Sequence, residues 1–289
     1  FRLMVKNMEN GYAITRDGTS IYYEIDGEGE PLVLIEGLGY ANWMWIKQRQ
    51  LANSVKLIIY DNRGVGLSSK PDRSYTMDDF TNDLEDLLNY LSIDHAFLWG
   101  VSMGGMIAMH FAYKNPGKVK GLILGETNFG IKSLPPSKEA LEVLMQPPKP
   151  GLDRKQALID RMRVAFSRNY FEAHNDEIEH IAEIRMKFEE DPRAYNNQLA
   201  AVLTFDFRDK LSSITIPTLI VTGDEDYVVN PQNSYIMNQL IPNSKLVVLR
   251  GAGHLAIIER ADDYNRLVLN FISEVVNGLF KPSKEPTVI

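Results

Sequence analysis

Residues 96–117 read AFLWGVSMGGMIAMHFAYKNPG, and the point where this stretch changes character constrains the whole chain. Ala96 to Gly100 pattern as a buried strand. From Met103 to Tyr113 the apolar residues follow a helical pattern that ends before Asn115-Pro116-Gly117. Only Val101 and Ser102 separate the two, so the strand must enter the helix through one sharp turn. Such a turn forces the serine into strained backbone angles, and bulky neighbours would collide there. Gly100 and Gly104 stand two residues either side of Ser102, and Gly105 adds clearance. The turn lifts Ser102 Oγ above the carboxyl edge of a sheet, where open α/β sheets bind ligands, and aims the first helical amides at the same point. A merely glycine-rich connection is the alternative, and the strand–turn–helix context argues against it.

The rest of the chain supplies that sheet. A hairpin is expected around Asp17-Gly18, followed by strand-like runs at 31–37, 55–61, 119–125, 217–223 and 245–251. Helical patterns lie between them: a stretch near Trp43–Leu51, a helix carrying Phe80, Leu84, Leu87, Leu88 and Leu91, one after Pro231, and a last one carrying Tyr264, Leu267, Val268, Phe271, Ile272 and Val275. Nearly continuous apolar strands alternating with helices predict an α/β fold, a mostly parallel sheet with helices on both faces. From 127 to 212 the rhythm breaks into proline-rich and helical patterns without a strand. This segment is read as a helical cap, or lid, inserted into a core formed by 1–126 and 213–289. The tail from Lys281 is expected to fray.

Bulk properties narrow the function. With 289 residues the chain can bury a large core, and 44% hydrophobic with 24% charged residues suits a soluble globular protein. A net charge of −7 argues against a nucleic-acid partner. The absence of cysteine excludes disulfides, thiolate metal sites and thiol nucleophiles. Residues 1–12 have neither a long apolar core nor a small-residue cleavage site, and no apolar run could span a bilayer. A cytoplasmic protein without a membrane partner is expected.

An activated serine needs a base, and the base needs an acid to orient it. Of the five histidines, His110 lies within the helix after Ser102, His95 precedes a strand, and His174 and His180 lie in the helical insertion. His254 sits in a glycine-flanked loop after a strand, in RGAGHLAIIER, and is the expected base. The acid should lie between serine and histidine in sequence, and VTGDEDYVVNP offers Asp224, Glu225 and Asp226 just past a strand. Asp226 is preferred, while Asp224, nearer the strand end, can instead support the turn.

EGLG (36–39), DNRGVGLSS (61–69), GVSMGG (100–105), GDEDYVVNP (223–231) and GAGH (251–254) occur in this order, and over roughly residues 12–278 the chain resembles the α/β-hydrolase superfamily. The likeness is to its cap-bearing serine esterase, lactonase and perhydrolase-like branch. It implies an eight-stranded-type sheet and an acid three residues after Gly223, which is Asp226. A proline commonly follows that acid by four residues; here Asn230 stands there and Pro231 comes one later. The oxyanion would be held by the backbone N–H of Met103, directly after the nucleophile, and, by the resemblance, of Leu38.

Glu36 replaces the usual histidine of such enzymes. An ionised carboxylate there would oppose a developing oxyanion, so Glu36 is expected to be paired, with Arg63 as a candidate, or protonated. Glu126, at the end of the strand GLILGE, is a reserve acid. Arg63 and Ser68 are read as structural. Trp43, Phe129, Glu36 and Glu126 are candidates for the pocket.

The expected reaction is hydrolysis of small or medium carboxylic esters through an acyl-enzyme, without metal or cofactor. Lactone opening, cofactor-free haloperoxidase chemistry and C–C bond hydrolysis would use the same groups. A serine at 102 argues against dehalogenation and epoxide hydrolysis, and no acidic amine-binding motif suggests a proline-specific aminopeptidase. A ligand receptor on the same fold is the alternative from another class. A small-molecule ester or lactone is the expected partner, and a homo-oligomer is compatible with the chain.

Overall fold

The computed structural model describes residues 8–289 apart from Lys149 and Leu152, so the first seven residues, on which the reading of the N-terminus partly rests, lie outside it. The strands are β1 (Glu9–Ile14), β2 (Ser20–Asp26), β3 (Pro31–Ile35), β4 (Lys56–Tyr60), β5 (Ala96–Val101), β6 (Val119–Gly125), β7 (Thr218–Gly223), β8 (Ser244–Leu249) and β9 (Thr287–Val288). They form one sheet in the order β1-β2-β4-β3-β5-β6-β7-β8-β9. β2 pairs antiparallel with β1 and β4, and every later pairing is parallel. The β1–β2 turn is held by Asp17, whose Oδ1 accepts from Thr15 Oγ1, Thr19 N and Thr19 Oγ1, while Gly18 takes φ 87°.

The helices are α1 (Met77–Tyr90), α2 (Met103–Lys114), α3 (Lys138–Leu144), α4 (Arg154–Met162), α5 (Arg168–Ala173), α6 (Asn175–Arg185), α7 (Pro192–Thr204), α8 (Gln232–Leu240), α9 (Ala256–Glu259) and α10 (Ala261–Val276). Strand alternation divides the core in two. Val33, Ile35, Leu98 and Leu122 pack with Phe80 and Leu84 of α1, Ile107 and Phe111 of α2 and Met237 of α8. Leu32, Leu34, Trp99 and Ile123 face the other way, toward Trp45 and toward Tyr264, Val268 and Phe271 of α10. Consecutive residues of central strands are therefore both buried, which explains their continuous apolar character. α1 starts on a capping box in which Thr76 and Asp79 satisfy each other's backbone N–H groups.

The helical stretch expected near Trp43–Leu51 is two short 3₁₀ segments, Asn42–Trp45 and Arg49–Asn53. Trp43, Met44 and Trp45 are all buried, in the same cluster as Leu32, Leu34 and Trp99 of the central strands β3 and β5. The tail does not fray: β9 adds a ninth strand beside β8, and Lys284 Nζ donates to Asn238 O at 2.6 Å and Ile241 O at 2.7 Å. Backbone pairing and the Lys284 amine hold a segment that shows no periodic apolar signal.

Between β6 and β7 the described residues hold α3 to α7 and an isolated bridge from Gly130 to Asp206. Among the described residues no helix is long and apolar enough to cross a membrane.

Candidate active site

Ser102 occupies the turn between β5 and α2 at φ 58°, ψ −122°, a conformation few non-glycine residues adopt. The surroundings fix it there. Its N–H donates to Gly125 O at 3.0 Å, and its carbonyl accepts from Thr127 Oγ1 at 2.6 Å. A Cβ on Gly100 would fall 2.1 Å from Gly104 O, and one on Gly104 would fall 2.0 Å from Ile35 O. These two glycines are thus required by close backbone approach.

His254 follows β8 in a loop and is 5% exposed. Its Nδ1 lies 2.9 Å from Asp226 Oδ2. Asp226 Oδ1 accepts from Val228 N and Val229 N, both at 2.9 Å, so backbone amides fix the carboxylate on one side and the imidazole on the other. Asp224 is spent elsewhere, accepting from Gly251 N at 2.7 Å to brace the histidine loop. Glu259 ties that loop to the helical segment: it accepts from Gly253 N at 2.8 Å, Ser167 N at 3.0 Å and Ser167 Oγ at 2.6 Å. Ser102 and His254 line one small cavity of about 50 Å³. Ser102 Oγ has no hydrogen-bond partner among the described residues, a state common before substrate tightens such contacts.

The N–H groups of Leu38 and Met103 have no acceptor among the described residues. Gly37 brings the first of them close, since a Cβ on Gly37 would stand 3.4 Å from Ser102 Cβ. Leu38, Ser102 and Met103 also line a second, larger cavity of about 260 Å³, whose other walls include Met106, Leu141, Leu199, Leu203 and Val229. A hydroxyl, an imidazole oriented by a carboxylate, and two unsatisfied amides on the walls of adjoining cavities that share Ser102 are the groups needed to attack a carbonyl and hold the oxyanion that results.

The four pocket candidates line neither cavity beside Ser102. Phe129 is 1% exposed and turned into the core against Phe205 and Phe207, with the Arg208 guanidinium 5.8 Å from its ring. Trp43 lies beneath Tyr40 and Arg185, at 4.8 Å and 4.7 Å, and walls an adjoining crevice. Glu126 is fully buried, at φ 44°, and receives Tyr264 Oη at 3.2 and 3.3 Å. Burial first, and then the charge of Asp226, push its acidity well above the usual carboxylate range, so it holds its proton.

Glu36 is likewise fully buried, and Arg63 is not its partner. Arg63 instead grips Asp83, through Nε at 2.6 Å and Nη2 at 2.7 Å, and also pairs with Asp17 at 2.9 Å. Ser68 Oγ donates to Asp61 O at 2.6 Å, joining the same loop together. Glu36 sits against Asp61, and burial followed by that neighbouring charge raises it well above the usual carboxylate range. Burial raises Asp61 as well, but it accepts from Asn42 N at 2.8 Å, Leu67 N at 2.9 Å and the Asn42 amide, which offset that rise in favour of its anion; Glu36 therefore carries the pair's proton.

A stability prediction follows from that proton. Folded Glu36 stays protonated while unfolded Glu36 ionises, so native stability falls as pH rises above the unfolded value. Glu36→Gln supplies a permanent neutral donor and removes this loss. Thermal melts should show the variant gaining on the wild type between about pH 5 and about pH 8; an equal difference at both values would overturn the assignment.

Tyr40, Arg161, Arg185 and Tyr195, which border the smaller cavity, were not singled out by the sequence. Among the described residues no cluster of three or more His, Asp or Glu side chains could hold a metal ion.

A family model described as "alpha/beta hydrolase fold" matches residues 30–163 and 177–261. The chain belongs to the α/β-hydrolase fold family. A Synechocystis sp. protein provisionally named a non-heme chloroperoxidase is 31% identical over 271 residues, covering 87% of this chain and 94% of that protein. The enol-lactonase of Burkholderia xenovorans LB400 superposes with TM-score 0.79 at 28% identity, over 91% of this chain and 100% of its own. A thermophilic esterase of Thermogutta terrifontis gives TM-score 0.79 at 28% identity, over 92% and 99%. Relatives of this α/β-hydrolase thus bear names from several reactions, and the choice among them rests on the site.

Proposed function

We infer that this α/β-hydrolase cleaves small or medium carboxylic esters through an acyl-enzyme, with Ser102 as nucleophile, His254 as base and Asp226 as the acid that orients it. The observation that carries the reading is the 2.9 Å contact from His254 Nδ1 to Asp226 Oδ2, in a cavity wall that also holds Ser102. His254 takes the serine proton as Oγ attacks the carbonyl, then gives it to the leaving alcohol as the acyl C–O bond breaks. Water attacks the acyl-enzyme by the same route and releases the acid. The Leu38 and Met103 amides hold the oxyanion, and no cofactor enters these steps.

Residues 127–212 act as the cap over the core formed by 1–126 and 213–289, excluding water from the acyl chamber. The names of the esterase and enol-lactonase neighbours support acyl–oxygen cleavage, and lactone opening breaks the same bond. No feature of this site favours halide oxidation or C–C cleavage in the same way.

A p-nitrophenyl ester series from acetate to dodecanoate tests the reading. Turnover should peak at a short or medium acyl length, where the chain fills the apolar cavity of about 260 Å³. No turnover at any length, together with no labelling by a fluorophosphonate, would overturn it.

A further inference from the structure

We propose that the smaller cavity is a carboxylate subsite, so that the preferred substrates are esters whose leaving alcohol carries an ionised carboxylate. This deepens the ester-hydrolase reading above and rests on it. Two guanidinium groups border the cavity, Arg161 on α4 and Arg185 at the end of α6. Arg185 is 3% exposed and rigid: Nε and Nη2 donate to Glu190 Oε1 at 3.2 and 2.8 Å, and its plane covers Trp43 at 4.7 Å and Tyr40 at 5.4 Å.

Arg161 differs. Its Nη1 donates to Val143 O at 3.1 Å and Gln146 O at 2.6 Å, and no carboxylate pairs with it among the described residues. The Arg161 guanidinium covers the Tyr195 ring at 5.3 Å, and of its five donors only those on Nη1 have a hydrogen-bond acceptor among the described residues. Glu190 pairs with Arg185 at 2.8 Å and lies 3.9 Å from Arg154, while Asp226, the other carboxylate whose charge reaches Tyr40, is held by Val228 N, Val229 N and His254, so neither serves Arg161. The Tyr40 hydroxyl, which also has no partner among the described residues, lies in the field of both guanidinium groups. A cavity bordered by two guanidinium groups, one of them without a carboxylate partner, favours an anion, and a carboxylate matches the guanidinium fork.

The position of His254 decides which half of the ester enters. It must protonate the leaving oxygen, and it lines the arginine cavity but not the larger apolar one. The alcohol half therefore meets Arg161, and the acyl half extends toward Met106 and Leu203. About 50 Å³ is room for a few waters or one small polar group and not for a long chain. For such an ester the acyl C–O bond breaks, the hydroxy acid leaves with the proton from His254, and water completes release of the second acid.

The test compares butanoyloxyacetate with its neutral amide, 2-(butanoyloxy)acetamide, near neutral pH and at low salt. Each rate is normalised to that ester's hydrolysis by hydroxide, which removes intrinsic reactivity. The wild type should favour the anion in kcat/KM by about tenfold or more, as expected for a charged hydrogen bond. Arg161→Met should reduce that ratio by about tenfold, mainly through KM of the anion, and Arg161→Lys should recover part of it. A wild-type ratio near one overturns the proposal without any variant. A ratio unchanged in Arg161→Met overturns it too, since Arg161 would then only brace the end of α3. Equal turnover of both esters leaves the hydrolase reading standing; turnover of neither, with p-nitrophenyl esters still cleaved, overturns this proposal alone, and loss of p-nitrophenyl turnover and fluorophosphonate labelling as well removes both.

Discussion

Ser102→Ala should abolish labelling by a fluorophosphonate and lower kcat for a p-nitrophenyl ester by about 10⁴- to 10⁶-fold. The substitution removes one oxygen and leaves the backbone demand unchanged, because alanine meets the same strain at φ 58° as serine does. The contacts that hold the turn come from backbone atoms of residue 102, its N–H to Gly125 O and its carbonyl to Thr127 Oγ1, and both persist in the variant. The melting temperature should therefore stay close to that of the wild type, which separates lost chemistry from lost fold. What activity remains would come from the cavity and its two free amides acting on water. Retention of more than about a hundredth of kcat would mean that the acyl group passes to some other nucleophile, or to water directly, and the acyl-enzyme route would fail.

The parts of this molecule that were legible in the sequence are those where one residue type answers one physical demand. β5 into α2 was readable because a turn that brings Gly104 against the Ile35 carbonyl tolerates no side chain, and the glycines record that demand. His254 was readable by elimination, and Asp226 by its place after β7, where its carboxylate now accepts two backbone amides. The smaller cavity was not readable. Arg161 and Arg185 lie on separate helices, in a segment whose sequence pattern shows only amphipathic faces, and a surface arginine has the same signature as one turned inward. The pairing of Glu36 with Arg63 failed for a related reason: a charge in one loop motif does not reveal which distant carboxylate claims it, and Arg63 is claimed by Asp83 on α1. β9 was missed because Thr287 and Val288 are held by backbone pairing that side-chain periodicity does not report.

The second large effect separates the two buried acids at the carboxyl edge of the sheet. Asp226→Asn should lower kcat by roughly 10³- to 10⁴-fold near neutral pH, while Glu126→Gln should stay within about fivefold of the wild type. The contrast follows from what each carboxyl touches. Asp226 accepts from Val228 N, Val229 N and His254 Nδ1, so all its bonds require an acceptor. An asparagine can keep its oxygen toward the two amides only by turning its NH₂ toward Nδ1, which then has to accept. The imidazole proton moves to Nε2, the nitrogen that should take the proton from Ser102, and the base is lost without any change of shape. Glu126 already holds a proton through burial and the nearby Asp226 charge, and Tyr264 Oη is its near neighbour. Glutamine replaces a neutral acid with a neutral amide of the same outline and keeps an acceptor for that phenol. Steady-state kinetics on one ester with both variants decides the assignment: a large loss in Glu126→Gln beside a small one in Asp226→Asn would move the orienting acid from β7 to β6.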